Sequence, residues 1–331
     1  MAGGGVRRFW TFTALGHLLL VGAALAIMAF ARRSAWAALI VFAPKALLAL
    51  PSLVIVPALL LKGPRRWLLV QALALALVIG PLMGFHVRWP SPARSSVRLL
   101  TWNVWFGAGD SAAIDASVRE AKADIVLFQA AASGPDSALR RLEGFHYLHE
   151  DQFALASRWP VRVTGKGTLV SAQLHRPWVR FAIDSPIGVL EVISVHPHSP
   201  RGVLLPRRGG LSQVLRAGPF ADPGGTLAFL AQQLAEIDSA ARGASPLLVV
   251  AGDFNAPERS ALLRGLFSGM EDAFAVAGNG FGYTFPVNRP WVPWLRLDRI
   301  LYGPALRAVH AEVTGRRGSD HAAVVVDFAL R

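Results

Sequence analysis

Residues 247–255 read Leu-Leu-Val-Val-Ala-Gly-Asp-Phe-Asn, an apolar run that ends in an acid and an amide. A short continuous apolar run is typical of a central strand, because other layers can cover both of its faces. Asp253 and Asn255 follow where this strand ends, and side chains that carry chemistry are often placed at such ends. The stretch therefore predicts an α/β protein with a polar site at one end of its sheet.

The rest of residues 97–331 alternates strand-like runs with runs whose apolar residues have helical spacing. The predicted strands are residues 97–104, 124–128, 189–195, 246–251 and 322–328, and the predicted helices are residues 113–123 and 227–237. Mixed elements of this kind favour layered α/β packing with sheets at the centre. We expect residues 91–331 to form one such domain, which follows a linker at residues 86–96 rich in Pro, Ser and Arg.

The N-terminal segment is far more apolar than the rest of the chain. Three apolar stretches occupy residues 9–31, 35–61 and 67–85. Each is close to, or longer than, the roughly 20 residues that a helix needs to cross the hydrocarbon core. Lys45 interrupts the second stretch, and we interpret it as lying near the end of a helix shifted towards residues 46–61, where its amine can reach the interface. The sequence thus predicts a multi-pass membrane domain of three transmembrane helices over residues 1–90.

Basic residues flank the three stretches. With the N-terminus inside the cell, the residues on the inner side are Arg7, Arg8, Lys62, Arg65 and Arg66, and those on the outer side are Arg32, Arg33, Arg88 and Arg94. The inner majority is small, and under the positive-inside rule it favours an extracytoplasmic position for the C-terminal domain. We therefore expect a protein of the cell membrane whose soluble domain lies outside the cytoplasm.

Composition excludes some chemistry and favours anionic ligands. The chain has no cysteine, which excludes disulfide bonds, cysteine zinc sites and a cysteine nucleophile. Its net charge of +13 suits membrane-flanking arginines and also a polyanionic ligand. Residues 192–221 contain no acidic residue and carry Arg201, Arg207 and Arg208. This stretch is either a solvated or lipid-contacting loop or a lid that guides an anionic substrate, and in the second case these arginines bind the substrate.

Polar residues follow several predicted strands, and they are Asn103, His196, Asp253, Asn255, Asp298, Asp320 and His321. Each alone has an ordinary explanation, such as a turn former or a surface histidine. Their occurrence together, each beside the end of a strand-like run, predicts a shared site. Hydrolysis of a phosphoester needs such groups, because it requires a positioned water and donors that stabilise the increasingly negative phosphoryl oxygens.

Several segments resemble the signature motifs of the endonuclease/exonuclease/phosphatase family. They are Leu-Leu-Thr-Trp-Asn (99–103), Ser-Arg-Trp-Pro (157–160), Gly-Asp-Phe-Asn (252–255), Arg-Leu-Asp-Arg-Ile (296–300) and Ser-Asp-His (319–321). The resemblance implies a DNase I-like α/β/β/α sandwich of four layers, in which two sheets lie face to face with helices outside. The apolar helices that precede it are similar to those of a membrane-bound bacterial branch.

The resemblance also implies roles for the strand-end residues. Asp253 would orient or deprotonate the attacking water, and Asn255 would hold a phosphate oxygen. His321 would contact the scissile phosphate, with Asp298 orienting its imidazole. His196 would occupy a phosphate-binding position.

The same resemblance implies a divalent cation, Mg²⁺ or Mn²⁺, with Asn103 and Asp320 at the metal. The family normally places its principal metal ligand, a glutamate, directly after the strand at residues 124–128 and its Gln, but this chain has Ala130 there. Three explanations remain open. The protein has lost turnover, Glu150 or Asp151 replaces the missing carboxylate, or Asp320 and the substrate hold the metal without it.

Two classes of function follow. The first is a membrane-anchored, metal-dependent phosphoesterase acting on nucleic acid, a phospholipid head group or a small phosphoester. The alternative is a catalytically impaired protein that binds a phosphorylated ligand or a partner through the same pocket. A transporter is disfavoured, because the apolar stretches offer no evident polar constellation within the membrane. No motif implies a protein partner.

Overall fold

The structure, a computed structural model, describes residues 2–30, 40–89, 95–131, 137–169, 175–200, 225–288 and 292–331. Its strands are β1 (Val97–Asn103), β2 (Ile125–Gln129), β3 (His146–Glu150), β4 (Phe153–Ser157), β5 (Val161–Lys166), β6 (Trp178–Ser185), β7 (Gly188–Val195), β8 (Leu248–Asp253), β9 (Glu271–Asp272), β10 (Asp298–Tyr302), β11 (Leu306–Thr314) and β12 (Ala323–Leu330). Its helices are α1 (Ala2–Phe30), α2 (Ser52–Leu61), α3 (Leu68–Leu77), α4 (Ser111–Ala121), α5 (Ser137–Arg140), α6 (Thr226–Ala241) and α7 (Ala273–Ala277). All the predicted strands and helices of residues 97–331 are present.

The described strands form two six-stranded sheets. One has the order β11-β12-β1-β2-β4-β3 and the other the order β5-β6-β7-β8-β10-β9. The pairs β1–β2 and β7–β8 are parallel, and the other pairs are antiparallel. A parallel neighbour requires a crossover, and helices α4 and α6 lie within the two crossovers.

The layers follow from the alternation of side chains along each strand. In β1, Leu99 faces the other sheet and Leu100 faces α4, because successive strand residues point to opposite faces. Helix α4 buries Ile114, Val118 and Ala121 against its sheet, as the helical spacing predicts. Helix α6 likewise covers the second sheet with its apolar face. Helix, sheet, sheet and helix therefore stack as the expected α/β/β/α sandwich.

The strand register gathers the candidate site at one end of the sandwich. Asn103 lies opposite Gln129 in the parallel pair β1–β2, and Asp298 lies opposite Asp253 in the antiparallel pair β10–β8. The two sheets meet at this end, where the Gln129 amide donates a hydrogen bond of 3.0 Å to the Ser194 hydroxyl. Polar residues from both sheets are thus brought to one place.

The N-terminal segment departs from the expectation of three membrane spans. Two helices, Gly4–Ala29 and Arg65–Leu82, are long and apolar enough to cross a membrane. The middle segment, Lys45–Leu61, is shorter, and it consists of a 3₁₀ turn at Lys45–Ala49 and of α2, with a break at Pro51 between them. Proline has no N–H to continue the helical ladder, which explains the break. Residues 31–39, which include the start of the predicted second stretch, lie outside the described residues.

A polar network lies among these helices, contrary to the expectation of none. The His17 ring bonds the Gln71 side-chain oxygen at 2.9 Å and the carbonyl of Leu48 at 2.8 Å, and the Ser52 hydroxyl donates to the same Gln71 oxygen. Lys45 is also buried rather than extended to an interface, and its amine donates to the Val41 carbonyl. All of these groups find partners within the helices, which suits a role in holding the helices together.

The segment expected to be a linker is docked on the sandwich where the structure describes it. The backbone of His86 exchanges hydrogen bonds of 2.8 and 2.9 Å with Gly280. The backbone N–H of Arg88 donates to the Asn279 side chain, and its guanidinium donates to the carbonyl of Ala275. Hydrogen bonds of this kind fix the end of the last N-terminal helix against the sandwich.

Candidate active site

The site is built around a buried histidine and two aspartates. His321 precedes β12, and its Nδ1 bonds Asp298 Oδ2 at 2.7 Å. On the other side of the ring, Nε2 lies 3.6 Å from Asp253 Oδ2. The ring is completely buried and packs against Phe285, with 4.8 Å between ring centroids. The imidazole is therefore held between two carboxylates in one orientation.

Charge and burial determine how this group is protonated. Burial alone would lower the pKa of His321, but Asp298 and Asp253 outweigh it and raise the pKa to about 9. Burial raises the pKa of Asp298 more than the imidazolium lowers it. Burial would raise the pKa of Asp253, but the charges of His321 and His196 outweigh burial and bring this pKa below its usual range. At neutral pH the shared proton therefore lies on His321, because this ring faces two carboxylates.

His196 follows β7 and faces the same aspartate. Its Nδ1 bonds Gln152 Oε1 at 2.6 Å, and its Nε2 lies 3.8 Å from Asp253 Oδ2. The Gln152 amide nitrogen donates to the carbonyls of Arg176 and His196, so the atom of Gln152 that contacts the His196 ring is the amide oxygen. Since that oxygen only accepts, Nδ1 is the donor and Nε2 is directed towards the site.

The two asparagines fix the loops around Asp253. The Asn103 amide donates to Asp253 Oδ2 at 2.9 Å, and its oxygen accepts from the backbone N–H of Trp105. Asn255 donates its backbone N–H to Asp253 Oδ1 at 2.8 Å. Its side-chain amide donates to the carbonyl of Pro197, so in this arrangement the amide holds the loop after His196.

The remaining candidates are placed less directly. Asp320 is buried beside His321, and its charge contributes to the raised pKa of that histidine. Arg201, Arg207 and Arg208 lie outside the described residues. The structure thus brings Asn103, His196, Asp253, Asn255, Asp298 and His321 into one connected cluster, with Asp320 next to it.

Backbone strain is concentrated in the loops of this cluster. Trp105, Phe106, Ala130 and Asn255 all have φ between 48° and 56°, a left-handed conformation that non-glycine residues seldom adopt. Trp105 and Phe106 follow β1, which carries Asn103, and Asn255 follows β8, which carries Asp253, whereas Ala130 follows β2 beside Asn103. Strained backbone of this kind persists only where surrounding contacts hold it, and it clusters at functional sites.

The residues present do not fit a hard cation held by protein ligands alone. Ala130 is buried and supplies no oxygen where the glutamate was expected. Within the described part of the chain, the candidate metal group is Asp253, Asp298 and His321, whose ligand atoms lie within 4.8 Å of one another. Those groups are already paired with each other, whereas Mg²⁺ demands near-octahedral oxygen ligation. Mg²⁺ or Mn²⁺ with Asn103 and Asp320 as ligands therefore stays a prediction.

Neither proposed replacement for the glutamate points into the cluster. Glu150 forms an ion pair with Lys166 at 2.8 Å. Asp151 accepts from His175 Nδ1 at 2.9 Å and from the backbone N–H of Arg176 at 2.7 Å. Both carboxylates are thus engaged elsewhere, which disfavours the second explanation for Ala130.

Several supporting residues carried no signal in the sequence. Gln152 lies in a turn between β3 and β4, and Thr284 accepts hydrogen bonds from the backbone N–H groups of Leu297 and Asp298. Ser319 was visible only as part of its motif, and its hydroxyl donates to the carbonyl of Asn103 at 2.7 Å. All three fix the orientation of the cluster, but Gln152 and Thr284 belong to no motif and are far in sequence from the groups that they hold, so no local pattern reveals them.

Comparison with known proteins places this geometry in context. The sequence model of the Endonuclease/Exonuclease/phosphatase family matches residues 100–321, which include every described residue of the cluster. No curated protein matches the chain in sequence.

Solved structures share the fold. The TDP2 of D. rerio, complexed with single-strand DNA product, superposes with a TM-score of 0.51 at 17% identity, covering 70% of this chain and 98% of that chain. An endonuclease/exonuclease/phosphatase from Beutenbergia cavernae has a TM-score of 0.47 at 18% identity, covering 72% of each chain. A Bacteroides thetaiotaomicron mannosyl-6-phosphatase has a TM-score of 0.48 at 16% identity, covering 71% of this chain and all of that chain.

Proposed function

The chain belongs to the endonuclease/exonuclease/phosphatase family, and we propose that it hydrolyses a phosphoester bond at the cluster around Asp253. The observation that carries the proposal is the position of the His321 ring, whose Nδ1 lies 2.7 Å from Asp298 and whose Nε2 lies 3.6 Å from Asp253. A fixed cation beside an ionised carboxylate gives one group to stabilise phosphoryl oxygens and another to direct water.

The steps follow from the protonation states of these groups. His321 donates from Nε2 to a phosphoryl oxygen, and Asp298 keeps the ring oriented and charged. Asp253 positions the water and accepts its proton while the water oxygen forms the new bond to phosphorus. The ester P–O bond breaks, and the leaving oxygen takes a proton from solvent. His196 lines the phosphate position beside Asp253.

A divalent ion, Mg²⁺ or Mn²⁺, would supply further charge relief on the phosphoryl oxygens if Asn103 and Asp320 held it together with the substrate. No step above depends on it, because Ala130 offers no carboxylate. This same residue favours the second candidate function, a protein that binds a phosphorylated ligand without turning it over.

We also propose that the N-terminal helices anchor the protein in the cell membrane, with the sandwich outside the cytoplasm. Arg7, Arg8, Arg65 and Arg66 gather at the end of the helices opposite the sandwich, where together they line an open cavity. An end rich in arginine is retained on the cytoplasmic side of a membrane. Residues 1–90 and 91–331 then act as anchor and hydrolase.

The test is hydrolysis of bis(p-nitrophenyl) phosphate by the full-length protein in detergent, with and without Mg²⁺ or Mn²⁺. Loss of a donor and orienting group of this kind costs about 10²–10⁴-fold in turnover, so we expect that loss for His321→Ala. His310→Ala is the matched control, because His310 is an exposed histidine of β11. Equal turnover in His321→Ala and the wild type would refute the proposed site.

Binding of inorganic phosphate, measured by calorimetry on the same samples, separates the second candidate. If phosphate binding requires His321 but no ester is hydrolysed with either metal or without one, the protein binds a phosphorylated ligand and does not turn it over. Absence of both hydrolysis and phosphate binding would refute both candidate functions of the site.

A further inference from the structure

The sandwich contacts the N-terminal helices through the end that carries the site. The Tyr283 hydroxyl donates to the carbonyl of Met83 at 3.0 Å, where the last helix ends. The Trp294 indole N–H donates to the carbonyl of Phe42 at 3.0 Å, near the start of the middle segment. These contacts dock the sandwich on one end of the helices, the end opposite the arginine cavity.

The docking segments are also the ones that support the catalytic histidine. Two residues after Tyr283, Phe285 packs on the His321 ring, and Thr284 between them accepts from the backbone N–H of Asp298 at 3.2 Å. The other docking residue, Trp294, donates its backbone N–H to the carbonyl of Phe285 at 3.1 Å. One short double-stranded segment therefore touches the helix ends on one side and His321 on the other.

Exposed apolar side chains lie beside the docking contacts and beside the site. Trp89, at the helix exit, is 91% exposed, and Val292, two residues before Trp294, is 82% exposed. Trp105 and Phe106 are also exposed, and the Phe106 ring lies 6.4 Å from the His196 ring. Exposed tryptophan beside a membrane helix is typical of the interfacial belt of a membrane protein.

We propose that the site opens onto the bilayer surface and that its substrate is a phosphoester carried by a membrane lipid. A helix of 26 residues is about 39 Å long, enough to cross the hydrocarbon core, so its end beside the sandwich lies at the level of the lipid head groups. The exposed apolar residues then contact the interface, and a head-group phosphate reaches the partly exposed His196 without leaving the membrane. Water cleaves the phosphoester, releasing an alcohol and a phosphate product.

This inference rests on the proposed hydrolysis, so its first test does not use turnover. Because the chain has no cysteine, Val292→Cys and Val189→Cys can each carry one spin label in the full-length protein. Val189 is an exposed valine at the start of β7, at the other end of the sandwich from His196. In vesicles of phosphatidylcholine and phosphatidylglycerol, we expect the label at 292 to be more accessible to oxygen than to an aqueous nickel complex, and the label at 189 to show the reverse. Equal water exposure of both labels would overturn the inference.

The second test compares three esters in the same vesicles: phosphatidylglycerol, a single-stranded oligonucleotide and bis(p-nitrophenyl) phosphate. We expect hydrolysis of the lipid to exceed that of the oligonucleotide at least tenfold. Val292→Asp should lower lipid hydrolysis about tenfold, because a charge weakens contact with the interface, and should leave the soluble chromogenic ester unchanged. Val189→Asp is the control and should change neither.

The outcomes separate the two proposals. Preference for the oligonucleotide, or an equal effect of Val292→Asp on lipid and soluble ester, would overturn the lipid substrate and leave the hydrolase intact. No turnover of any ester would overturn the hydrolase and the substrate class together, and the spin labels would still decide which way the site faces.

Discussion

Two clusters of charged residues share residues 296–299, and each has a buried cation, which is arginine in one cluster and histidine in the other. In the first, Arg296 forms ion pairs of 2.7 Å with both Glu258 and Asp272, and Arg299 reaches Asp272 at 2.8 Å. In the second, Asp298 lies between these arginines in sequence but pairs with the titratable ring of His321.

The difference separates stability from chemistry. Guanidinium groups stay charged at every accessible pH, so the two arginines balance the two carboxylates of the first cluster permanently. Burial would raise the pKa of Glu258, yet Arg296 outweighs it and lowers the pKa to about 2. The second cluster sets the carboxylates of Asp253 and Asp298 around an imidazole that can gain or lose a proton. We therefore expect mutations in the first to affect folding and mutations in the second to affect reactivity.

The largest effect on this comparison should come from Arg296→Met. The change removes the buried Arg296 cation, so that the partly buried Glu258 loses its arginine and Asp272 keeps only Arg299. Breaking a buried ion pair in this way costs about 3–5 kcal/mol. For a unit of this size the midpoint of thermal unfolding should fall by roughly 6–20 °C, measured by tryptophan fluorescence in detergent. The control is Arg162→Met, whose exposed ion pair with Asp184 should contribute under about 1 kcal/mol. Similar losses in the two variants would contradict the assigned role.

The second effect concerns pH. Because His321 acts as the imidazolium, whose pKa is raised to about 9, kcat/KM should fall as pH rises through about 9. Its contribution to stability should be complete below 6.5, the ordinary pKa of a histidine, and be lost as pH rises from there through about 9. Asp298→Asn removes a carboxylate beside the ring, so the pH at which kcat/KM falls should be lower by about 1–3 units. The control Asp184→Asn should leave the pH dependence of kcat/KM unchanged. If Asp298→Asn also left it unchanged, the Asp298–His321 pair would not determine the pH at which kcat/KM falls.

The smallest effect should come from Ala130→Glu. A carboxylate at this position would give a divalent cation a ligand that it now lacks, so half-saturation with Mg²⁺ should occur at about tenfold lower concentration. Mn²⁺ binding followed by electron paramagnetic resonance gives the same comparison without turnover. Ala130→Gln, which matches the size without the charge, should resemble the wild type. Identical affinities in all three proteins would show that this position does not face a metal.

Much of the sandwich could be predicted from local patterns. The apolar run before Asp253 is β8, and the spacing of Ile114, Val118 and Ala121 gives the buried face of α4. Where the middle apolar stretch is described, it is divided at Pro51 into a 3₁₀ turn and α2, because hydropathy alone does not register how a proline interrupts the helical ladder. The burial of Lys45 was not predicted either, and it is accommodated because the amine donates a hydrogen bond to the carbonyl of Val41 in the preceding turn.

The candidate site was predicted as a set of residues rather than as an arrangement. The motifs indicated Asp298 and His321, and the structure joins them. Gln152, which holds His196, has no motif and comes from a turn on the other sheet. Such supporting residues lie outside the reach of sequence patterns, because their partners are fixed only when the two sheets pack.

By itself, the sequence determined where strands, helices and apolar stretches begin, and it determined which reactive groups stand at strand ends. These properties are local, since they depend on the period of the side chains along one element. The tertiary structure decided that His321 lies between two carboxylates, that Arg296 belongs to a different cluster, and that the site end of the sandwich meets the N-terminal helices. Those outcomes depend on contacts between residues distant in the chain, and only the packing of the two sheets and the helices on one another creates them.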